Sequence, residues 1–177
     1  MLPPVTLVLG GTRSGKSRYA EDLVRSASGR PTYIATAEAL DEEMAERITK
    51  HKIRRGEGWQ MIEEPLEITQ ALGRLTPESE VVLVDCLTVW LANIMGAERD
   101  VVQESAALVA QVQRLNVPVV LVSNETGLGI VPDNAMARAF RDHGGVLAQK
   151  IAAIAQSVVL MIAGLPLHLK TTSHEML

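Results

Sequence analysis

The sequence predicts an α/β fold: a mostly parallel sheet flanked by helices, with a C-terminal antiparallel hairpin. Three observations predict it. Short β-branched apolar runs alternate with segments of helical spacing along the chain. The runs at residues 5–9, 81–84 and 117–122 are almost continuously apolar, as strands covered on both faces are. Hydrophobic residues make up 47% of the 177 residues but aromatics only 3%, so the core must be built from Val, Leu, Ile, Ala and Met.

Residues 5–9 read as the first strand and residues 16–25 as an amphipathic helix. Ser28-Gly29-Arg30-Pro31 breaks that pattern, and residues 32–36 form a second short strand. Residues 41–54 form a charged helix. Asp41 opens it, Glu42 and Glu43 occupy its first turn and basic residues its last, which suits the helix dipole. Gly56 and Gly58 stop it. Residues 59–63 alternate as a strand does, and residues 66–75 read as a helix ended by Thr76-Pro77.

Val81-Val82-Leu83-Val84-Asp85 is an apolar strand ending in a carboxylate. Residues 88–95 and 101–115 form two helices around a turn at Gly96, and residues 117–123 another buried strand. A loop with Gly127, Gly129 and Pro132 follows, then a helical stretch over residues 134–156 that either breaks or continues at Gly144-Gly145. Residues 157–163 and 166–170 close the fold as a hairpin through Gly164. Residues 1–170 are expected to form one domain without internal repeats, and residues 171–177 a frayed polar tail.

Between the first strand and the first helix stands Gly10-Gly11-Thr12-Arg13-Ser14-Gly15-Lys16-Ser17, the G-x-x-x-x-G-K-S pattern of a P-loop in its strand–loop–helix context. Glycines let the backbone curl with its N–H groups around phosphate oxygens. Lys16 reaches the β- and γ-phosphates, Ser17 ligates Mg²⁺, and the helix N-terminus favours negative charge. The chain is therefore expected to bind a nucleoside triphosphate on a RecA-like sheet. Ligands on such sheets sit at the carboxyl ends of the parallel strands. That brings together the loop at residues 10–17, the region after Asp85 and the loop at residues 124–132.

Asp85 suits a Walker B acid holding Mg²⁺ opposite Ser17, and equally an N-cap of the next helix; a P-loop upstream favours the first. Asn124 and Glu125 either orient a reacting group or serve as ordinary turn residues. Arg47, His51 and Arg55 share one helix face, with Lys52 and Arg54 in the same turn. A neutral imidazole there is a competent nucleophile toward phosphorus, although a lone histidine in a charged helix is more commonly solvated. His143, His168 and His174 show no metal-ligand spacing.

The net charge of −4 argues against a general nucleic-acid binder. Cys86, the only cysteine, allows no intrachain disulfide and no multi-cysteine zinc site, and reads as a small core residue. Without a basic n-region or an apolar stretch of transmembrane length, the chain is expected to be cytoplasmic and not inserted in a membrane.

Four strings occur in order: the P-loop through Arg18, Tyr33-Ile34-Ala35-Thr36-Ala37, Arg47-Ile48-Thr49-Lys50-His51-Lys52, and Val122-Ser123-Asn124-Glu125-Thr126-Gly127-Leu128-Gly129-Ile130-Val131-Pro132. Together they resemble the bifunctional adenosylcobinamide kinase / adenosylcobinamide-phosphate guanylyltransferase family of cobalamin biosynthesis, over residues 7–170. The resemblance implies two reactions. First, the γ-phosphoryl group of ATP or GTP passes to the aminopropanol hydroxyl of adenosylcobinamide. Then a histidine, here His51, takes GMP from GTP and passes it to adenosylcobinamide phosphate. It further implies nucleotide contacts from Ile34, Ala35, Thr36, Lys52, Ile53, Arg54, Arg55 and Glu63, Mg²⁺ at Ser17 and Asp85, and a homo-oligomer, with a trimer expected. Lys50 stands where some relatives carry a second histidine, which leaves His51 the one candidate nucleophile in this helix. Glu63 is expected to read the guanine N1–H and N2–H₂ donors. Arg138 and Arg141 either hold the corrinoid phosphate or make exposed salt bridges. The competing readings are a P-loop kinase of another small hydroxylated substrate and a non-enzymatic nucleotide-dependent binding module.

Overall fold

The computed structural model describes residues 2–39, 42–76 and 79–171, with the backbone alone at residues 43, 44 and 47. The tail expected at residues 171–177 lies outside the described residues from 172 onward, as do Asp41 and His174. In chain order the elements are β1 (Val5–Gly10), α1 (Lys16–Ser26), β2 (Pro31–Ala35), α2 (Glu42–Arg55), β3 (Gln60–Glu63) and α3 (Ile68–Gly73). There follow β4 (Val81–Asp85), α4 (Leu87–Gly96), α5 (Val101–Gln113), β5 (Val119–Asn124), α6 (Ala135–Ile154), β6 (Ser157–Ile162) and β7 (Leu165–Lys170).

The strands form one seven-stranded sheet in the order β3-β2-β4-β5-β1-β6-β7. Every pairing is parallel except β6–β7, which is antiparallel and joined through Ala163 and Gly164, both at positive φ. β5 lies between the P-loop strand β1 and the Asp85 strand β4. In register, Gly10 lies opposite Asn124, Asp85 opposite Val122 and Ala35, and Ala35 opposite Glu63. The carboxyl ends of β1, β5, β4, β2 and β3 therefore form one continuous ledge.

The alternation of side chains divides the core between the two faces of the sheet. Leu7, Leu9, Val82, Val84, Val119 and Leu121 meet α3, α4, α5 and α6 through Ile68, Leu72, Trp90, Leu108 and Ile151. Val8, Val81, Leu83, Val120 and Val122 face Ala20 and Val24 of α1. Trp90 is fully buried, and its indole N–H donates to the Leu66 carbonyl at 2.8 Å, so the large ring leaves no polar group unmet. Among the described residues no helix is long and apolar enough to cross a membrane.

One element differs from expectation, and a second settles a choice the sequence leaves open. The helix expected over residues 66–75 begins at Ile68 because the Glu64 carboxylate accepts from the N–H groups of Leu66 and Glu67, at 3.1 and 2.8 Å, and holds those residues in a turn. The helix over residues 134–156 continues through Gly144-Gly145 as α6. A Cβ at Gly144 would lie 3.6 Å from both Leu91 of α4 and Thr126, so a small residue there lets α6 pack closely. Asn134 caps α6 by accepting from Ala137 N–H at 2.8 Å.

Candidate functional site

The P-loop needs two of its glycines for distinct reasons. Gly15 caps α1 at φ 93°, a left-handed conformation that side chains resist. Gly10 is excluded from carrying a Cβ, which would meet Ser14 Oγ and lie 2.8 Å from the Met161 carbonyl. The loop is also stitched to its surroundings. Glu125 N–H donates to the Gly10 carbonyl at 3.0 Å, and Gly164 N–H at the hairpin turn donates to the Ser14 carbonyl at 3.0 Å. Lys16 Nζ donates to the Gly11 carbonyl at 3.1 Å.

A cavity of about 690 Å³ opens along the ledge of strand ends. Thr12, Lys16 and Ser17 line it from the phosphate loop, Asp85 and Cys86 from the end of β4, and Asn124 from the end of β5. Ala35, Glu63, Ile48, His51, Lys52 and Arg55 line it from β2, β3 and α2. Of the other residues expected to contact nucleotide, Gly10, Gly11, Arg13, Ser14 and Gly15 supply the loop backbone. Ile34 is fully buried in the sheet. Ile53 is 75% exposed and outside the cavity lining. Thr36 is buried, and its hydroxyl donates to the Cys86 carbonyl and accepts from Cys86 N–H, both at 2.8 Å. That reciprocal pair fixes the chain just after Asp85.

Asp85 is half-buried and accepts from the Tyr33 hydroxyl at 3.3 Å. Burial first, and then the Asp85 charge, hold the Tyr33 phenol well above its ordinary value, so it stays a donor. Burial, then Asp85, push the Cys86 thiol up to about 11, so it remains protonated and inert. Ser17 from the phosphate loop and Asp85 from the end of β4 are hard oxygen donors lining this cavity. That set suits Mg²⁺, which keeps most of its ligands from water and phosphate. No group of three or more His, Cys, Asp or Glu placed to hold a metal occurs among the described residues.

α2 is fastened at its C-terminal end. Glu21, on α1 and fully buried, accepts from Arg54 Nε and an Arg54 terminal nitrogen, each at 2.8 Å, and lies 3.9 Å from Arg55. Arg55 is buried and stacks over the Tyr33 ring at 3.7 Å from its centre. Arg25 donates to the last carbonyls of α2, those of Arg54 and Arg55, at 2.9 and 2.8 Å. Sequence reasoning missed Glu21 and Tyr33. The signal for Glu21 was a carboxylate beside Ala20 and Val24 on the apolar face of α1.

His51 is half-buried, one turn before Arg55, and Arg54 lies 3.3 Å from its Nδ1. Burial first, then the Arg54 charge, hold its imidazole below the ordinary histidine value against the opposing pull of Asp85 and Glu21. The neutral, nucleophilic form therefore persists to lower pH than in a solvated histidine. Arg54→Gln removes one lowering charge and leaves the Glu21 carboxylate with Arg55 alone, and both changes raise the imidazole pKa. The acid limb of any His51-dependent reaction is expected to move to higher pH in that variant, read from pH–rate profiles. A limb that stays in place or moves down contradicts this account. Glu63 accepts from Lys52 Nζ at 2.9 Å. Arg138 and Arg141 donate to loop carbonyls, Arg138 to Pro132 and Asp133 and Arg141 to Gly127, rather than to carboxylates.

Residues 6–169 match the family model described as cobinamide kinase / cobinamide phosphate guanyltransferase. The chain belongs to this family. It is 43% identical to the bifunctional adenosylcobalamin biosynthesis protein CobP of Pseudomonas aeruginosa, over 93% of this chain and 96% of that protein. It is 38% identical to the bifunctional adenosylcobalamin biosynthesis protein CobU of Escherichia coli, over 93% of this chain and 98% of that protein. The fold is also that of the flagellar accessory protein FlaH from Methanocaldococcus jannaschii, with a TM-score of 0.56 and 14% identity over 97% of this chain and 80% of that one. As a member of the cobinamide kinase / guanyltransferase family, the chain presents its P-loop lysine and its α2 histidine to one cavity.

Proposed function

We infer that this protein phosphorylates adenosylcobinamide with ATP or GTP and then guanylylates the product through His51. Residues 1–170 would act as one nucleotide-binding domain in the cytoplasm, within a homo-oligomer that we take to be a trimer. The observation that carries the reading is that Lys16, Ser17, Asp85 and His51 line one cavity in a member of this family.

In the first reaction the substrate hydroxyl oxygen attacks the γ-phosphorus and its proton is released to solvent. The bond from that phosphorus to the β–γ bridging oxygen breaks, and nucleoside diphosphate leaves. Lys16 and the N–H groups of the loop neutralise charge on the transferring group. Mg²⁺, held by Ser17 and Asp85, would supply further neutralisation of the phosphate oxygens. In the second, an imidazole nitrogen of His51 attacks the α-phosphorus of GTP and pyrophosphate leaves. An oxygen of the corrinoid phosphate then attacks the same phosphorus. The N–P bond breaks, the neutral imidazole returns, and adenosylcobinamide-GDP is formed.

The Arg54 contact bears on that order of events. Arg54 only donates, so with a neutral ring it occupies the Nδ1 lone pair and places the ring proton on Nε2. Attack through either nitrogen requires that contact to open. This supports a shift of α2 or of the triphosphate between the two reactions, since one pose cannot offer the α- and γ-phosphorus to different nucleophiles. Complexes of both reactions showing a single nucleotide pose and an intact Arg54–His51 contact would rule it out.

The test of the function is incubation with adenosylcobinamide and nucleotide, with the products resolved by mass. Adenosylcobinamide phosphate and then adenosylcobinamide-GDP are expected, and an unmodified corrinoid would overturn the reading. With α-labelled GTP and no corrinoid, an acid-labile, base-stable protein label is expected. Glu63 faces the cavity with Lys52 as its present partner, and we assign it to the guanine N–H donors. Glu63→Gln is then expected to weaken the preference for GTP over ATP in the guanylylation half-reaction by about tenfold or more, the scale of a lost charged hydrogen bond. An unchanged preference would remove Glu63 from that role.

A further inference from the structure

The loop leaving β5 inverts the usual surface pattern. Ordinary loops turn polar side chains to water, yet here Glu125, Arg138 and Arg141 bond the loop's own backbone. Glu125 accepts from Gly127 N–H at 2.6 Å. Arg141 donates to the Gly127 carbonyl, and Arg138 to the carbonyls of Pro132 and Asp133 at 3.0 and 2.8 Å. Beside the exposed Asp133 and Asn134, the fastened loop and the start of α6 show four large apolar side chains to solvent: Leu128 is 84% exposed, Ile130 98%, Val131 63% and Met136 77%. Single exposed apolar residues are commonplace, but a run of them on a braced loop marks a binding surface.

Its position says what is bound. The loop starts at Asn124, which lines the nucleotide cavity, and Glu125 N–H is bonded to Gly10 of the P-loop. A molecule lying on Leu128 and Ile130 therefore adjoins the phosphate end of the cavity. Beside the loop is a second, shallower hollow of about 370 Å³, lined by Gly127, Arg141, Asp142, Gly145, Val146 and Gln149. Asp142 and Gln149 offer it an acceptor and a primary amide.

We propose that this loop and hollow form the corrinoid-binding surface, with Leu128 and Ile130 against the macrocycle and Asp142 and Gln149 meeting its amide arms. The proposal rests on the function inferred above. A corrin is a broad, methyl-studded ring edged with primary amides, and its aminopropanol arm carries the hydroxyl or phosphate that reacts. Apolar contact bordered by amide-bonding groups fits that chemistry, and the arm alone has to enter the cavity past Asn124.

The test uses the full chain with Leu128 and Ile130 both changed to Ser, and Val102→Ser on α5, 62% exposed in the parent, as the control. Equilibrium dialysis with adenosylcobinamide phosphate reads binding directly from the corrinoid's visible absorbance, without any chemical step. The double variant is expected to bind at least about tenfold more weakly, the scale of removing two large apolar side chains from a buried face, while the control binds like the parent. Leu128→Met with Ile130→Val is expected to restore most of the affinity. Parental affinity in the Ser variant overturns the proposal, and so does a change of assembly size on gel filtration with affinity unchanged, which assigns the loop to a second copy. Labelling by α-labelled GTP needs no corrinoid, so its failure in the parent protein counts against the guanylyl-transfer reading. The dialysis result stands apart from it.

Discussion

His51→Ala is expected to abolish the protein label from α-labelled GTP and to lower GMP transfer by at least about 10³-fold, the scale on which loss of an attacking group is felt. Phosphorylation of adenosylcobinamide should stay within a few-fold of the parent, because Lys16, Ser17 and the loop N–H groups belong to α1 and the loop before it. The variant should fold, since alanine is the best helix former and His51 is only half-buried on α2. The split between the two activities is the informative result. A label that survives in the variant would place the attacking group elsewhere. Loss of both activities in a folded variant would make the histidine a nucleotide ligand rather than a nucleophile.

Glu21→Ala is expected to destabilise the protein by about 3–5 kcal/mol, the cost of leaving a buried charge without its partner. The carboxylate is fully buried between two guanidinium groups, and Arg55 is buried with it. Arg54 retains some access to water and can rehydrate, but Arg55 would remain under Tyr33 with an uncompensated charge. Glu21→Gln keeps the shape and one of the two acceptor oxygens, and should recover part of the loss. Urea unfolding midpoints measure both variants. A loss below about 1 kcal/mol for Glu21→Ala would mean that Arg55 finds water or another acceptor at little cost.

Local patterns with a physical cause were legible in the sequence. The strand–loop–helix around residues 10–17, the buried strands and the closing hairpin all follow from periodicity and glycine placement. The sheet order did not, because which strand separates β1 from β4 depends on contacts far apart in sequence. The continuity of α6 at Gly144-Gly145 stays open in the sequence for a related reason: helix propensity counts glycine against the helix, while the contact of Gly144 with Leu91 of α4 joins positions far apart in sequence. At the site, Lys16, Ser17, His51, Asp85 and Glu63 were named from motifs and resemblance, and the fold brings them to one cavity. Thr36 belongs to the same strings, yet its hydroxyl braces the backbone after Asp85. A motif marks residues that matter without telling ligand contact from support. Arg54 and Glu21 show the limit most clearly, since their pairing joins positions 33 residues apart on different helices.

Fastening α2 at one end makes the helix a lever. Its fulcrum is the cluster where Glu21, Arg25 and Tyr33 meet Arg54 and Arg55. At about 1.5 Å of rise per residue, His51 stands only about 6 Å from Arg55 along the axis, whereas Glu42 stands about 20 Å away. A tilt of about 15° about that point carries the far end roughly 5 Å but the imidazole less than about 2 Å. An imidazole so near the fulcrum moves little while the arm beyond it swings wide, so a tilt of α2 would change the width of the cavity mouth far more than it would displace His51.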